Sequence, residues 1–173
     1  GLCLVGSEMC IRDSLLHFGI CRRHVTDLHE DEMAEAQAKS FPVSWEELHR
    51  TSKALAWRLL ELGPFEGIVA VTRGGLVPAA IVARELEIRL IETACLSSYH
   101  GQDQGGLTVL KEAMLAGKGK GWLIVDDLVD TGETAKSLRA MMPEAHFATV
   151  YAKPAGRPLV DTCLLYTSDA ADE

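Results

Sequence analysis

Four apolar runs divide the chain: Gly67–Thr72 (GIVAVT), Arg89–Ser97, Trp122–Val125 and His146–Ala152 (HFATVYA). Three of them are too continuous to alternate between a wet and a dry face, so they read as short strands buried on both sides, the habit of parallel sheets. Between them the apolar positions recur at helical spacing. Ser44-Trp45-Glu46-Glu47 is a capping box, and Leu48, Leu55, Leu59 and Leu62 follow on one face until Gly63-Pro64 stops the helix. A second helix over Ala79–Glu87 would turn Ile81, Val82 and Leu86 inward, with Pro78 at its start. A third carries Ala135, Leu138, Met141 and Met142. Trp45 and Trp57 read as packing residues. Strand and helix in alternation predict an α/β fold, a mainly parallel sheet flanked by helices, with ligand loops at the carboxyl ends of the strands.

Chemistry gathers at those ends. The run Trp122–Val125 leads into Asp126 and Asp127, then Asp130 and Thr131-Gly132-Glu133-Thr134 before the third helix. A loop that opens a helix presents free backbone N–H groups and the positive end of the helix dipole, a ready anion site. Two carboxylates repel a bare phosphate, but they suit sugar hydroxyls and a hard cation such as Mg²⁺. A phosphorylated sugar satisfies both halves of the motif. The plainer reading, a capping box with Asp130 as N-cap and Glu133 at the third helical position, accounts for those two acids and leaves Asp126 and Asp127 unexplained. Arg73-Gly74-Gly75 after the first strand is a weaker anion loop of the same kind, since many strand-to-helix turns look alike. Lys153, at the end of HFATVYA, would by itself be read as a solvated surface lysine.

Three strings, TRGGLVPAAIVAREL, GWLIVDDLVDTGETA and AKPAGRPLVD, together resemble the type I phosphoribosyltransferases, and among them the bacterial branch acting on xanthine and guanine. The resemblance runs from about Lys39 to Thr162. It implies transfer of a 5-phosphoribosyl group from 5-phosphoribosyl-1-diphosphate to a purine base (xanthine or guanine, hypoxanthine more weakly), with Mg²⁺ as cofactor and pyrophosphate released. By the same resemblance, Arg73 and Gly74 hold the diphosphate, often beside a strained, non-proline cis peptide. Asp126 and Asp127 hold the ribose hydroxyls, with Asp127 the metal ligand. Leu128 and Val129 belong to the substrate loop. Asp130 is the catalytic residue, exchanging a proton near N7 of the purine, while Thr131, Gly132, Glu133 and Thr134 cradle the 5′-phosphate. Lys153 reads the 6-oxo group of the base. Glu133 stands where the family commonly has glycine, so its carboxylate must point away from the phosphate. The polar stretch Tyr99–Thr108 corresponds to a flap that closes over the reacting centre, yet Tyr99–Leu110 holds no Lys or Arg; Lys111 is the nearest, and His100 a weaker substitute.

Composition narrows the alternatives. The chain has 173 residues, a net charge of −8 and five cysteines without metal spacing, which fits one domain in a reducing compartment. A phosphoribosyltransferase-fold regulator that binds RNA is the rival from another class. It needs a basic face, and no Lys/Arg cluster supplies one. A hypoxanthine-preferring enzyme is a nearer rival. The resemblance implies a homo-oligomer, dimer or tetramer, in the cytoplasm, with peripheral attachment to the inner membrane in some members, and no nucleic-acid partner.

Gly1–Ser14 and Cys163–Glu173 resemble translated sequencing adapter and are expected to be non-native. They carry Arg12 against Glu8, Asp13, Asp169, Asp172 and Glu173, half of the net charge. Residues 15–38 read as an extension outside the domain, with Met33 a candidate true start, and residues 39–162 as a phosphoribosyltransferase domain truncated at its C-terminus. The missing stretch would supply an aromatic that stacks on the purine and the strands of the base-covering hood, so the hood is expected to be incomplete. Stacking on a base is worth about 1–3 kcal/mol. The chain is therefore expected to be a weak or inactive enzyme, and steady-state turnover of guanine with the diphosphate donor, measured on all 173 residues, should fall far below that of a full-length relative.

Overall fold

The computed structural model describes residues 4–5, 8–11, 41–98 and 107–166. The chain divides into two units, Gly1–Leu48 and His49–Glu173. The first holds a small antiparallel sheet of β1 (Leu4–Val5), β2 (Glu8–Ile11) and β3 (Phe41–Ser44), with Val5 opposite Glu8 and Met9 opposite Val43. Residues 12–40, which contain the whole of the expected extension 15–38, lie outside the described residues.

Helix α1 (Trp45–Leu60) starts where its cap predicts: Ser44 Oγ accepts a hydrogen bond of 3.1 Å from the Glu47 N–H. Leu48, Leu55 and Leu59 are fully buried. Leu62 is not, at 52% exposed, because the helix ends two residues earlier and the stripe no longer applies. The two tryptophans also depart from expectation. Trp45, the first residue of the helix, is 38% exposed, and Trp57 is 61% exposed because it falls outside the leucine face.

The second unit is a six-stranded sheet in the order β6-β5-β4-β7-β8-β9. Its strands are β4 (Gly67–Thr72), β5 (Ile91–Ser98), β6 (Leu107–Lys111), β7 (Trp122–Val129), β8 (His146–Ala152) and β9 (Thr162–Tyr166). All neighbours pair in parallel except β5 with β6. Helices α2 (Leu76–Glu85) and α3 (Glu133–Met141) follow β4 and β7. Helix α2 begins three residues before the predicted Ala79, so Pro78 sits inside its first turn, where a missing N–H costs nothing. The predicted apolar strand at 122–125 is longer than expected and carries Asp126 and Asp127 within it. β4 pairs with β7 only as far as Ala70 opposite Val125, whereas β7 stays paired with β8 to Val129 opposite Ala152. Parallel strands β4, β7 and β8 thus end at one edge of the sheet, β7 projecting past β4.

The core is apolar, with Val69, Val71, Ile124, Leu138, Phe147 and Met142 at 4% exposure or less. At the start of β8 a polar knot ties three segments together. Asp161 accepts a 2.7 Å hydrogen bond from the Phe147 N–H and a 2.6 Å ion pair from Arg139, whose Nε and Nη1 donate to the Leu159 and Ala145 carbonyls. The guanidinium also stands 5.7 Å from the Phe147 ring centre. Partial burial raises the Asp161 carboxyl, but the Phe147 N–H and the Arg139 charge outweigh it and leave the group below the usual carboxylate range. A lowered carboxylate stabilises the fold above its unfolded pKa and loses that contribution as pH falls through the folded value. Asp161→Ala is accordingly expected to cost about 1–3 kcal/mol at neutral pH, a cost that shrinks below about pH 4; urea unfolding at both pH values measures it.

Candidate active site

The turn after β4 is tight. The Thr72–Arg73 peptide is cis, where the family resemblance implied a strained bond. The Gly75 N–H returns to the Val71 carbonyl at 2.9 Å, and Arg73 and Gly74 are exposed. A Cβ on Gly74 would fall on the Asp127 carboxylate, and one on Gly75 would lie 2.5 Å from the Val125 carbonyl oxygen. Gly75 is therefore required by close approach of this turn to the β7 backbone, whereas a side chain at Gly74 would have to push the Asp127 carboxylate aside. Gly75 was not singled out from sequence, although the Gly-Gly pair was its visible signal.

Asp126 and Asp127 occupy the part of β7 that β4 leaves unpaired. Asp126 is 7% exposed and Asp127 half-buried, and the Asp127 N–H donates to Asp126 Oδ1 at 2.9 Å. Burial, then the charge and the carboxyl of Asp127, hold the Asp126 carboxyl well above its ordinary range, against a smaller pull from the Asp127 N–H. Two adjoining acids on the stretch of β7 that lacks a β4 partner, one of them desolvated, form a site that a cation or a ring of hydroxyl donors relieves. Among the described residues no group of three or more His, Cys, Asp or Glu side chains forms a closed metal cage.

The loop 130–132 leads into α3 through Gly132, which is buried at φ 84°. Gly132, not Asp130, is the N-cap, and no side chain caps the helix, so the capping-box reading of Asp130 and Glu133 does not hold. The first-turn N–H groups are thereby left for another partner. Glu133 is exposed and turned along the helix to Lys136, Oε1 to Nζ 2.7 Å. Thr131 is exposed and Thr134 half-buried. Leu128 is half-buried, while Val129 packs in the core with its carbonyl accepting from the Lys153 N–H at 2.9 Å.

Lys153 follows β8 and reaches across to Asp130, Nζ to Oδ1 3.0 Å. The structure thus joins Gly74 to Asp127 and Asp130 to Lys153, and ranges Arg73 and Thr134 along the same carboxyl edge, after adjacent strands. The flap residues 99–106, His100 among them, lie outside the described residues. Lys111 is held on β5 by the Thr93 carbonyl at 2.6 Å and Glu92 at 3.6 Å. Gly156 and Leu159, which support the 130–132 loop, also escaped the sequence reading, because a packing contact between two loops leaves no periodic trace.

The Phosphoribosyl transferase domain family matches residues 44–169. A xanthine-guanine phosphoribosyltransferase of Nitratidesulfovibrio vulgaris is 63% identical over 136 residues, 78% of this chain and 82% of its own length. One from Desulfotalea psychrophila is 57% identical over 130 residues, 75% and 81% of the two chains. Among solved structures, the purine phosphoribosyltransferase of Pyrococcus horikoshii superposes with a TM-score of 0.64 at 28% identity, covering 72% of this chain and 86% of that one. The Helicobacter pylori xanthine-guanine-hypoxanthine phosphoribosyltransferase, at 24% identity and a TM-score of 0.60, covers 75% and 86% and shares the fold. With the paired acids, the glycine turn and the lysine in place on a sheet of this order, the chain belongs to the phosphoribosyltransferase family.

Proposed function

We propose that this chain transfers the 5-phosphoribosyl group from 5-phosphoribosyl-1-diphosphate to N9 of xanthine or guanine, and more slowly hypoxanthine, releasing pyrophosphate. The observation that carries the reading is the Lys153–Asp130 pair beside the Gly74–Asp127 contact. O6 and N7 are neighbouring acceptors on one edge of an oxopurine. Lys153 donates to O6, and Asp130 takes up or returns a proton at N7. Adenine offers an amino donor at position 6, which a lysine cannot accept.

Arg73 and the backbone around Gly74 hold the pyrophosphate, and the free N–H groups of Thr131–Thr134 hold the 5′-phosphate. Glu133, drawn to Lys136, keeps its carboxylate off that phosphate. Asp126 and Asp127 accept from the ribose hydroxyls, with Leu128 and Val129 setting the backbone beneath the sugar. Asp127, backed by Asp126, fits Mg²⁺, which takes one or two protein carboxylates and fills its shell with water and substrate oxygens. When bound, the cation neutralises charge on the departing pyrophosphate. The family reading also carries a cytoplasmic homo-oligomer; among the described residues no helix is long and apolar enough to cross a membrane.

Incubation with guanine, donor and Mg²⁺, followed by chromatography, should yield the nucleoside monophosphate and pyrophosphate. Lys153→Gln should lower that rate roughly 10–100-fold, the worth of a charge-assisted hydrogen bond, and equal turnover of adenine by the unchanged chain would overturn the assignment. Asp126 has a second signature. A carboxyl raised by folding costs stability as pH rises through its folded value, and an amide does not titrate. Asp126→Asn should therefore melt higher at pH 8, by a margin that narrows in acid, while binding donor less well; a lower melting point at pH 8 would contradict the burial argument.

A further inference from the structure

We propose that Gly156 is a positioning residue that sets the spacing between the base-reading lysine and the phosphate loop, an inference that rests on the function proposed above. The turn from Lys153 to Leu159 is bonded to itself through the Gly156 and Arg157 N–H groups, both donating to the Lys153 carbonyl at 3.1 and 3.0 Å, and is hung on β7 by the Lys153 N–H. Its middle lies flat against the substrate loop. A Cβ on Gly156 would sit 2.5 Å from Val129 Cγ1, 2.6 Å from the Val129 carbonyl oxygen and 2.9 Å from that of Asp130. Two of these three neighbours are backbone, which cannot swing aside as a side chain does. Its φ of −85° is open to any residue, so contact rather than conformation demands glycine here.

The far end of the turn supports the phosphate loop. A Cβ on Gly132 would fall against Leu159 Cδ1, so Leu159 fills the space beneath the N-cap of α3. Arg139 of α3 in turn holds the Leu159 carbonyl through Nε at 3.0 Å, and Arg157 Nη1 holds that of Val160 at 3.0 Å. Lys153, Gly156 and Leu159 are therefore tied into one turn, and the loop 129–132 rests on all three. A nucleotide is gripped at both ends, by Lys153 at the base and by the loop at the phosphate, so its affinity depends on their separation. A sugar phosphate without a base touches one grip only.

The test compares two probes by titration calorimetry. Gly156→Ala is expected to weaken guanosine monophosphate at least tenfold, since displacement of a contact by about 1 Å can cost up to a hundredfold, while ribose 5-phosphate loses less than threefold. Leu159→Ala, which withdraws the support under Gly132 and leaves the Gly156 contact alone, should weaken both probes by similar factors. Equal losses of both probes in Gly156→Ala, or unchanged nucleotide binding, would overturn the inference. Should Gly156→Ala not fold, Leu159→Ala decides, and ribose 5-phosphate binding as tight as in the unchanged chain overturns it. If the unchanged chain bound neither probe, the proposed function would fall first and the inference with it.

Discussion

The whole site hangs on a mismatch in strand length. β7 continues past the last residue that β4 pairs with, held on its other side by β8. Had β4 run as far as β7, the backbone beside Asp126 would be sealed by ladder hydrogen bonds, and no turn could press against Asp127. Because β4 stops at Thr72, its chain folds over the exposed flank of β7, and the lack of a side chain at Gly74 and Gly75 lets it settle there. One acid is buried by this arrangement and the other is left at the rim.

That placement explains the electrostatics. Asp126 is desolvated beside a second carboxylate, an unfavourable position for a charge. Strain of this kind, kept inside β7 and offset by an apolar core, is the mark of a functional site rather than of a purely structural strand. After the end of β7 the opposite choice is made: Asp130 faces Lys153 at 3.0 Å, so its charge is matched. An acid within β7 and an acid in the turn after it thus occupy environments of contrary sign. The knot of Arg139 and Asp161 braces the same region from below, since the arginine that pairs with Asp161 also holds the carbonyl of Leu159, which packs under Gly132.

The buried strands were legible because burial on both faces leaves a continuous apolar run, as in GIVAVT and HFATVYA. The Ser44 cap was legible because its partner lies three residues away. Edge strands were not. β6 carries Val109 and Leu110, both exposed, and β9 ends in a short run outside any pattern, so neither announces a strand until a neighbour pairs with it. The tryptophans misled for the reverse reason: a large apolar side chain suggests packing, but position on the helix decides exposure, and Trp57 lies off the leucine face.

By itself, the chain determined the strand-turn-helix units and the residue types at each turn, since both follow from spacing along the backbone. Asp126 and Asp127 could be named from order alone, and Lys153 only through the family resemblance, since by itself it reads as a surface lysine. Only the tertiary structure decided that Asp126 is buried while Asp127 is not, that Gly132 rather than Asp130 caps α3, and that Gly156 and Leu159 brace the loop opposite them. These are contacts between residues distant in sequence, fixed by which strand outruns which, and linear spacing carries no record of that.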